Sequence, residues 1–229
     1  MRQKMILLSV IGIMLLLNGC GNFHLRGTVP NYEEETYTAS SKIKNVVLQD
    51  DDISVQICQS NSDKLRLSYY SADDGSEQYK IKEDKGKMDI AKESEPNYGI
   101  FVFGDRYSSD SFKNVKLTLY LPHNYEGDLS IQTLDGDIII GDVAIENLTI
   151  NTNDGDVSFD NTAISQSLCC KTKDGNITGE LSGKISEYPH EMKTISGTNN
   201  LVSNIDGNKA IEVTTKDGDL DISFNKDNR

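Results

Sequence analysis

One corner recurs through the second half of the chain. LSIQTLDGDIII begins at Leu129, LTINTNDGDVSF at Leu148, LCCKTKDGNITG at Leu168 and IEVTTKDGDLDI at Ile211, with a degenerate copy, HEMKTISGTNNL, from His190. The turn glycines Gly136, Gly155, Gly175, Gly197 and Gly218 are spaced by 19, 20, 22 and 21 residues. A period of this length means one small structural unit per copy, and a unit too small to bury its own apolar face must stack on its neighbours.

Within each copy apolar and polar residues alternate on both sides of the glycine, as in Leu148, Ile150 and Thr152, then Val157 and Phe159. This is the two-residue period of strands with one buried face. The Asp-Gly pair predicts a turn with positive φ, easy for glycine and tolerable for aspartate. Such a pair also makes hairpins, so a meander is the competing architecture. Thr133, Thr152, Thr172, Thr194 and Thr215 share one position, and Ile131, Ile150, Cys170, Met192 and Val213 another. Stacking in register, about 4.8 Å apart, rewards such columns and a meander does not. The expected fold is all-β: a β-solenoid, β-helix-like, of coils of about 20 residues.

Ahead of the repeats, Ile43 to Leu48, Ile53 to Ile57, Leu65 to Tyr70, Gln78 to Glu83 and Lys87 to Ala91 alternate in the same way. They predict less regular β coils or a small sheet at the N-terminal end, covering an edge that would otherwise invite aggregation. The expected organisation is a signal peptide over 1–19, a tether over 20–39, an N-terminal β region over 40–125 and the repeats over 126–229.

Arg2 and Lys4 precede an apolar run from Met5 to Leu17. That run is shorter than the roughly 20 residues a spanning helix needs, and the pattern is that of an export signal. Leu17-Asn18-Gly19-Cys20 resembles the lipobox of bacterial lipoproteins. The resemblance implies a diacylglycerol on the Cys20 thiol and acyl chains such as palmitate in the membrane. At about 0.8 kcal/mol per buried methylene, two or three chains would hold the protein on the extracytoplasmic face of the cell membrane. Phe23 to Ala39 is polar and aperiodic, as a tether would be.

The formal charge of −13 becomes −15 once Arg2 and Lys4 leave, with 21 basic against 36 acidic residues. Such a balance excludes nucleic acid as a ligand and leaves an envelope protein or a cell-wall glycan as partners. Cys58, Cys169 and Cys170 have no zinc-site spacing and read as small apolar residues, with one disulfide from Cys58 to either neighbour as the alternative.

Stacking would place Asp135, Asp154, Asp174 and Asp217 in one column and Asp137, Asp156 and Asp219 in a second, as a calcium ladder would. Yet Asn176, Ser196 and Thr198 interrupt the columns, and Lys173 and Lys216 sit beside the acids. The expectation is a structural corner with no metal and no cofactor. No catalytic set stands out, because His24, His123 and His190 are scattered. A calcium-dependent carbohydrate-active β-helix enzyme is the alternative, since such enzymes place acids and a basic residue on one coil face. Tyr98, Phe101, Phe103 and Tyr107, in NYGIFVFGDRY, form an aromatic cluster that is either a cap or a partner contact.

The TxDGDI corners, together with LTLYLPHN at Leu117 to Asn124, resemble the domain of unknown function 4097 family over roughly Ser41 to Phe224. The resemblance implies a β-strand repeat protein of the bacterial envelope with an adhesin-type role, and it brings no catalytic residues to carry over. The copy at His190 departs from the pattern, with Ser196 and Thr198 in place of both acids and EYPHE inserted before it, so a bulge is expected there. The combined expectation is a non-catalytic, lipid-anchored envelope protein with an adhesion-type or protein-interaction role.

Overall fold

The computed structural model describes residues 31–94, 115–204 and 210–225. Fifteen strands form one mixed sheet: β1 Tyr32–Thr38, β2 Asn45–Gln49, β3 Ser54–Ser60, β4 Arg66–Ala72, β5 Glu77–Asp84, β6 Lys87–Ser94, β7 Lys116–Pro122, β8 Asp128–Gln132, β9 Ile138–Ile140, β10 Ala144–Asn151, β11 Val157–Lys171, β12 Ile177–Ser182, β13 His190–Lys193, β14 Ala210–Thr214 and β15 Leu220–Asn225. The all-β expectation holds. A short 3-10 turn, Ile185–Glu187, is the only helical element among the described residues.

Twelve of these strands form two parallel ladders. In the first, β6, β2, β8, β10, the second half of β11, β14 and β13 lie side by side. In the second the order is β7, β3, β9, the first half of β11, β12 and β15. Strand β11 is long enough to belong to both. Each of the four regular repeats contributes a strand to one ladder, turns at its glycine corner and contributes a strand to the other, whereas the degenerate copy supplies β13 to the first and only an isolated Asn199–Leu220 bridge to the second.

Register is set by apolar columns. Val46, Leu129, Leu148, Leu168 and Ile211 are aligned across the first ladder, and Val55, Ile138, Val157, Ile177 and Leu220 across the second. All ten are at most 3% exposed and join one core cluster. Slipping any strand by one residue would turn its apolar side chains to solvent, and burial of each is worth about 1.5–3 kcal/mol. Parallel neighbours therefore inherit their register from the sequence repeat.

The spatial order is not the chain order. The last repeat, β14 and β15, lies between the Leu168 repeat and the degenerate copy, because β14 pairs with both β11 and β13. The same occurs near the other end, where β2 lies between β6 and β8, and β3 between β7 and β9. The degenerate copy is thus outermost. Its departures from the repeat fit that place: the outer edge of β13 meets its own chain through a His190–Asn204 bridge, and the Met192 amide donates to Ser203 Oγ at 3.1 Å. Asn200 imitates a further strand beside β15, accepting the Ile222 amide at 3.1 Å and donating to its carbonyl at 2.9 Å.

At the opposite end antiparallel strands cover the ladders, β5 on β6 and β4 with β1 on β7. The five alternating segments predicted ahead of the repeats all overlap strands, β2 to β6. One stretch differs from expectation. Tyr32–Thr38, read as part of the tether, is strand β1, an edge strand whose two faces stay largely exposed and which therefore lacks the apolar alternation that marks the others. Its polar residues have partners instead: the Tyr69 hydroxyl donates to Glu35 at 3.0 Å, and the Tyr37 hydroxyl to Glu83 at 2.9 Å.

Candidate functional site

The corners are the candidate site that the sequence singles out. The five turn glycines form a row. A Cβ on Gly155 would lie 2.2 Å from the Gly136 carbonyl oxygen, one on Gly175 2.1 Å from that of Gly155, one on Gly218 2.0 Å from that of Gly175, and one on Gly197 2.1 Å from that of Gly218. Glycine is needed for this close approach. The expectation of positive φ is corrected, because none of the five adopts it; among the described residues the positive-φ glycines are Gly75, Gly86, Gly179 and Gly183.

Each corner is hydrogen-bonded to the next in one direction. The Leu134 carbonyl accepts the amides of Asn153 and Asp154 at 3.0 and 2.8 Å, and the Asn153 carbonyl those of Lys173 and Asp174 at 2.9 and 2.7 Å. The column continues through Lys173 to Lys216 and Asp217, and through Lys216 to Ile195 and Ser196. The shared threonine joins it. Thr172 Oγ1 donates to the Asn153 carbonyl at 2.9 Å and accepts the Gly175 amide at 3.2 Å; Thr215 Oγ1 accepts the Gly218 amide in the same way at 3.1 Å and donates to the turn-glycine carbonyl of Gly175 at 2.9 Å.

The second acids are built into this lattice. Asp137 accepts the Asp156 amide at 3.0 Å, and Asp156 the Asn176 amide at 2.7 Å. Asn176 accepts the Asp219 amide at 2.9 Å, and Asp219 the Thr198 amide at 2.7 Å. An asparagine side chain serves as well as aspartate, because the job is to offer an oxygen to the next amide. The Thr198 amide and hydroxyl hold the Asp219 carboxyl below its ordinary range.

The first acids point outward and meet each other. A hydrogen bond with Asp174 raises Asp154 above the ordinary carboxylate range, while the Lys173 ammonium, 2.8 Å from Asp174, lowers that carboxyl. Lys216 pairs likewise with Asp217 at 2.8 Å. Among the described residues no group of three or more histidine, cysteine or acidic side chains is arranged to hold a metal ion.

A buried polar cluster went unmarked in the sequence. Asp50 follows β2 and occupies the column of the shared threonines, since Gln49 is aligned with Gln132. It stands at the amide-donating end of the corner column. Its carboxylate accepts the amides of Asp52 and Ile53 at 3.1 and 3.3 Å, as an acidic residue caps a helix N-terminus. Burial pushes its carboxyl up, opposed by the Tyr79 hydroxyl, which donates to it, and by Lys92. Burial works against the charge of Lys92, but Asp50 and Glu77, the latter at 3.1 Å, outweigh it and raise the ammonium. The Asp50-Asp51-Asp52 run was the available signal, though only the register shows that its first member replaces a threonine.

The outer face of the first ladder forms a further patterned surface. Gln49, Gln132 and Asn151 are aligned in one exposed row, and Val47, Ser130 and Thr149 in the next. In the third, Asn147 donates to Asp128 at 2.7 Å and accepts from Ser167 at 2.6 Å.

Cys58, Cys169 and Cys170 are free, so the disulfide alternative is not realised. Cys58 lies on the second ladder and the other two on the first, which separates them. Burial raises all three thiols. His190 is buried in the outermost strand, its ring nitrogens 2.9 and 3.0 Å from the carbonyls of Tyr188 and Val202. Cys20 and the aromatic residues Tyr98, Phe101, Phe103 and Tyr107 lie outside the described residues. Among those described no helix is long and apolar enough to cross a membrane.

No curated protein matches the sequence. Among solved structures, a putative cell adhesion protein from Clostridium sporogenes is similar at 12% identity with a TM-score of 0.60, covering 86% of this chain and 100% of its own. A putative adhesin from Bacteroides fragilis matches at 13% identity over 87% of this chain and 100% of its own, with a TM-score of 0.32. The first likeness bears on the fold alone. The family model described as Toastrack DUF4097 matches residues 43–229, and the chain belongs to that family.

Proposed function

We propose that this protein is a non-catalytic lipoprotein of the bacterial cell envelope, anchored through Cys20 to the extracytoplasmic face of the membrane. In this reading its two-strand units are the coils of a β-solenoid, about 20 residues each, which serves as a rigid scaffold for adhesion-type contact with an envelope protein or a cell-wall glycan. The observation that carries it is the in-register alignment of outward side chains across parallel strands, which builds extended rows. The second acids of the corners accept amides of the stack, and Asp174 and Asp217 pair with lysines, which supports a structural role for them. The name of the Clostridium sporogenes protein agrees with a contact role. Residues 20–31 would then lead from the lipid to β1.

Metabolic labelling with a palmitate analogue, followed by membrane fractionation, tests the anchor. The wild-type chain should carry label and sediment with membranes, and Cys20→Ser should lose both properties. An unlabelled wild type, or a Cys20→Ser chain that stays with the membranes, overturns the reading.

A further inference from the structure

The outer face of β2, β8 and β10 carries little charge for a chain that is 26% charged. Its three rows contain a single formal charge, Asp128, which is already bonded to Asn147. We propose that this face is a docking surface for an uncharged polysaccharide strand, lying across the three strands with its hydroxyls on the amides of Gln49, Gln132 and Asn151.

Chemistry and geometry both select this occupant. A primary amide offers donors and an acceptor together, the combination that matches a sugar hydroxyl, and the three side chains are exposed in one row with no hydrogen bond among the described residues. Strands in such a row repeat at about 4.8 Å, so a polymer crossing them meets an equivalent group at each step. The backbone beneath is held on both sides, because β2, β8 and β10 each have two paired neighbours, so little ordering remains to be done on binding. The same pairing leaves no free edge at which a protein strand could add. Apolar partners find only Val47 in the central row, and anionic polymers meet a net charge of −13.

The inference rests on the contact role proposed above, but its test is separate from the test of the anchor. The full-length chain in detergent is sedimented with microcrystalline cellulose and with chitin, both uncharged, and with phosphocellulose, which carries anionic groups on the same backbone. Wild type should sediment with at least one uncharged polymer and far less with phosphocellulose. The triple variant Gln49→Glu, Gln132→Glu, Asn151→Asp should bind at least tenfold more weakly. A neutral triple variant with serine at the three positions should show the same loss without adding repulsion between acids, and circular dichroism confirms that each is folded. Cys20→Ser should bind the polymer as wild type does, so failure of the anchor and failure of this inference are distinguishable. Absence of binding to both uncharged polymers, unchanged binding by a folded triple variant, or preference for phosphocellulose overturns the proposal. So does capture of a membrane protein that the triple variants lose while polymer binding persists.

Discussion

At the scale of single residues, the corner separates groups that a sequence makes look alike. The two acids around each glycine are one such case: the first points outward beside lysines and other acids, while the second accepts a backbone amide from the next unit. Asp156→Asn should therefore leave the melting temperature unchanged, as Asn176 already does this job one unit further on. Asp156→Ala should lower it by about 1–3 °C, the cost of an exposed amide losing its acceptor. A calcium-dependent rise in melting temperature that either substitution abolishes would refute this assignment. The glycines are the harsher case. In Gly175→Ala the new Cβ would sit 2.1 Å from a backbone oxygen that cannot move without shifting its own corner. We expect a loss of about 3 kcal/mol or more, roughly 6–12 °C in a thermal melt. Gly141→Ala, where the nearest oxygen is 3.1 Å away, is the control and should cost clearly less. Equal losses at both positions would show that the close approach is not what demands glycine.

At the scale of elements, strands that are equivalent by register differ in how they are held. The central strands have neighbours on both sides, whereas β5 and β1 are edges tied by side chains. Glu83 on β5 is the main tie. It accepts the Ser40 amide and hydroxyl at 2.8 and 2.7 Å, the Tyr37 hydroxyl at 2.9 Å and the Ser41 hydroxyl at 3.2 Å. Burial opposes its charge, but these donors outweigh burial and lower its pKa from 4.5 to about 2. A carboxyl lowered in the folded state stabilises fully above its unfolded value, and that contribution disappears as pH falls. The link between β5 and β1 should therefore be intact above pH 4.5 and weaken between 4.5 and about 2. Amide exchange in β1 and β5 should rise over that window, and Glu83→Gln should flatten the dependence. A pH-independent exchange rate in both strands would remove Glu83 from this role.

At the scale of the molecule, the decisive feature is the order of the units. The final repeat lies inside the stack and the degenerate copy outside it, so the chain end supplies the contact on which β13 depends. Deleting residues 205–229 would remove β14 and β15, strip β13 of its strand partner and bare the edges of β11 and β12. The shortened chain should aggregate and become sensitive to protease within 190–204. In a stack built in chain order the same deletion would only remove the last coil, leaving 190–204 protected. Protection of that segment in the shortened chain would thus contradict the order described above. The arrangement also places the copy that lost its acids where no further corner needs an oxygen from Ser196 or Thr198.

The strand character of the chain, the alignment of Thr152 with Thr172 and of Leu148 with Leu168, and the family were all legible in the sequence, because a period of two and a period near twenty are properties of residue order. Other features depended on which unit meets which. Gly218 rests on Gly175, forty-three positions earlier, because two copies with equal columns compete for one neighbour and the sequence pattern scores them alike. Asp50 became a buried cap only when β2 aligned with β8, and β1 became a strand only when β4 offered it an edge. Local order specifies which face of a strand is apolar; tertiary contact alone decides which strand lies beside it, since that choice depends on the summed packing and hydrogen bonding of units far apart in the chain.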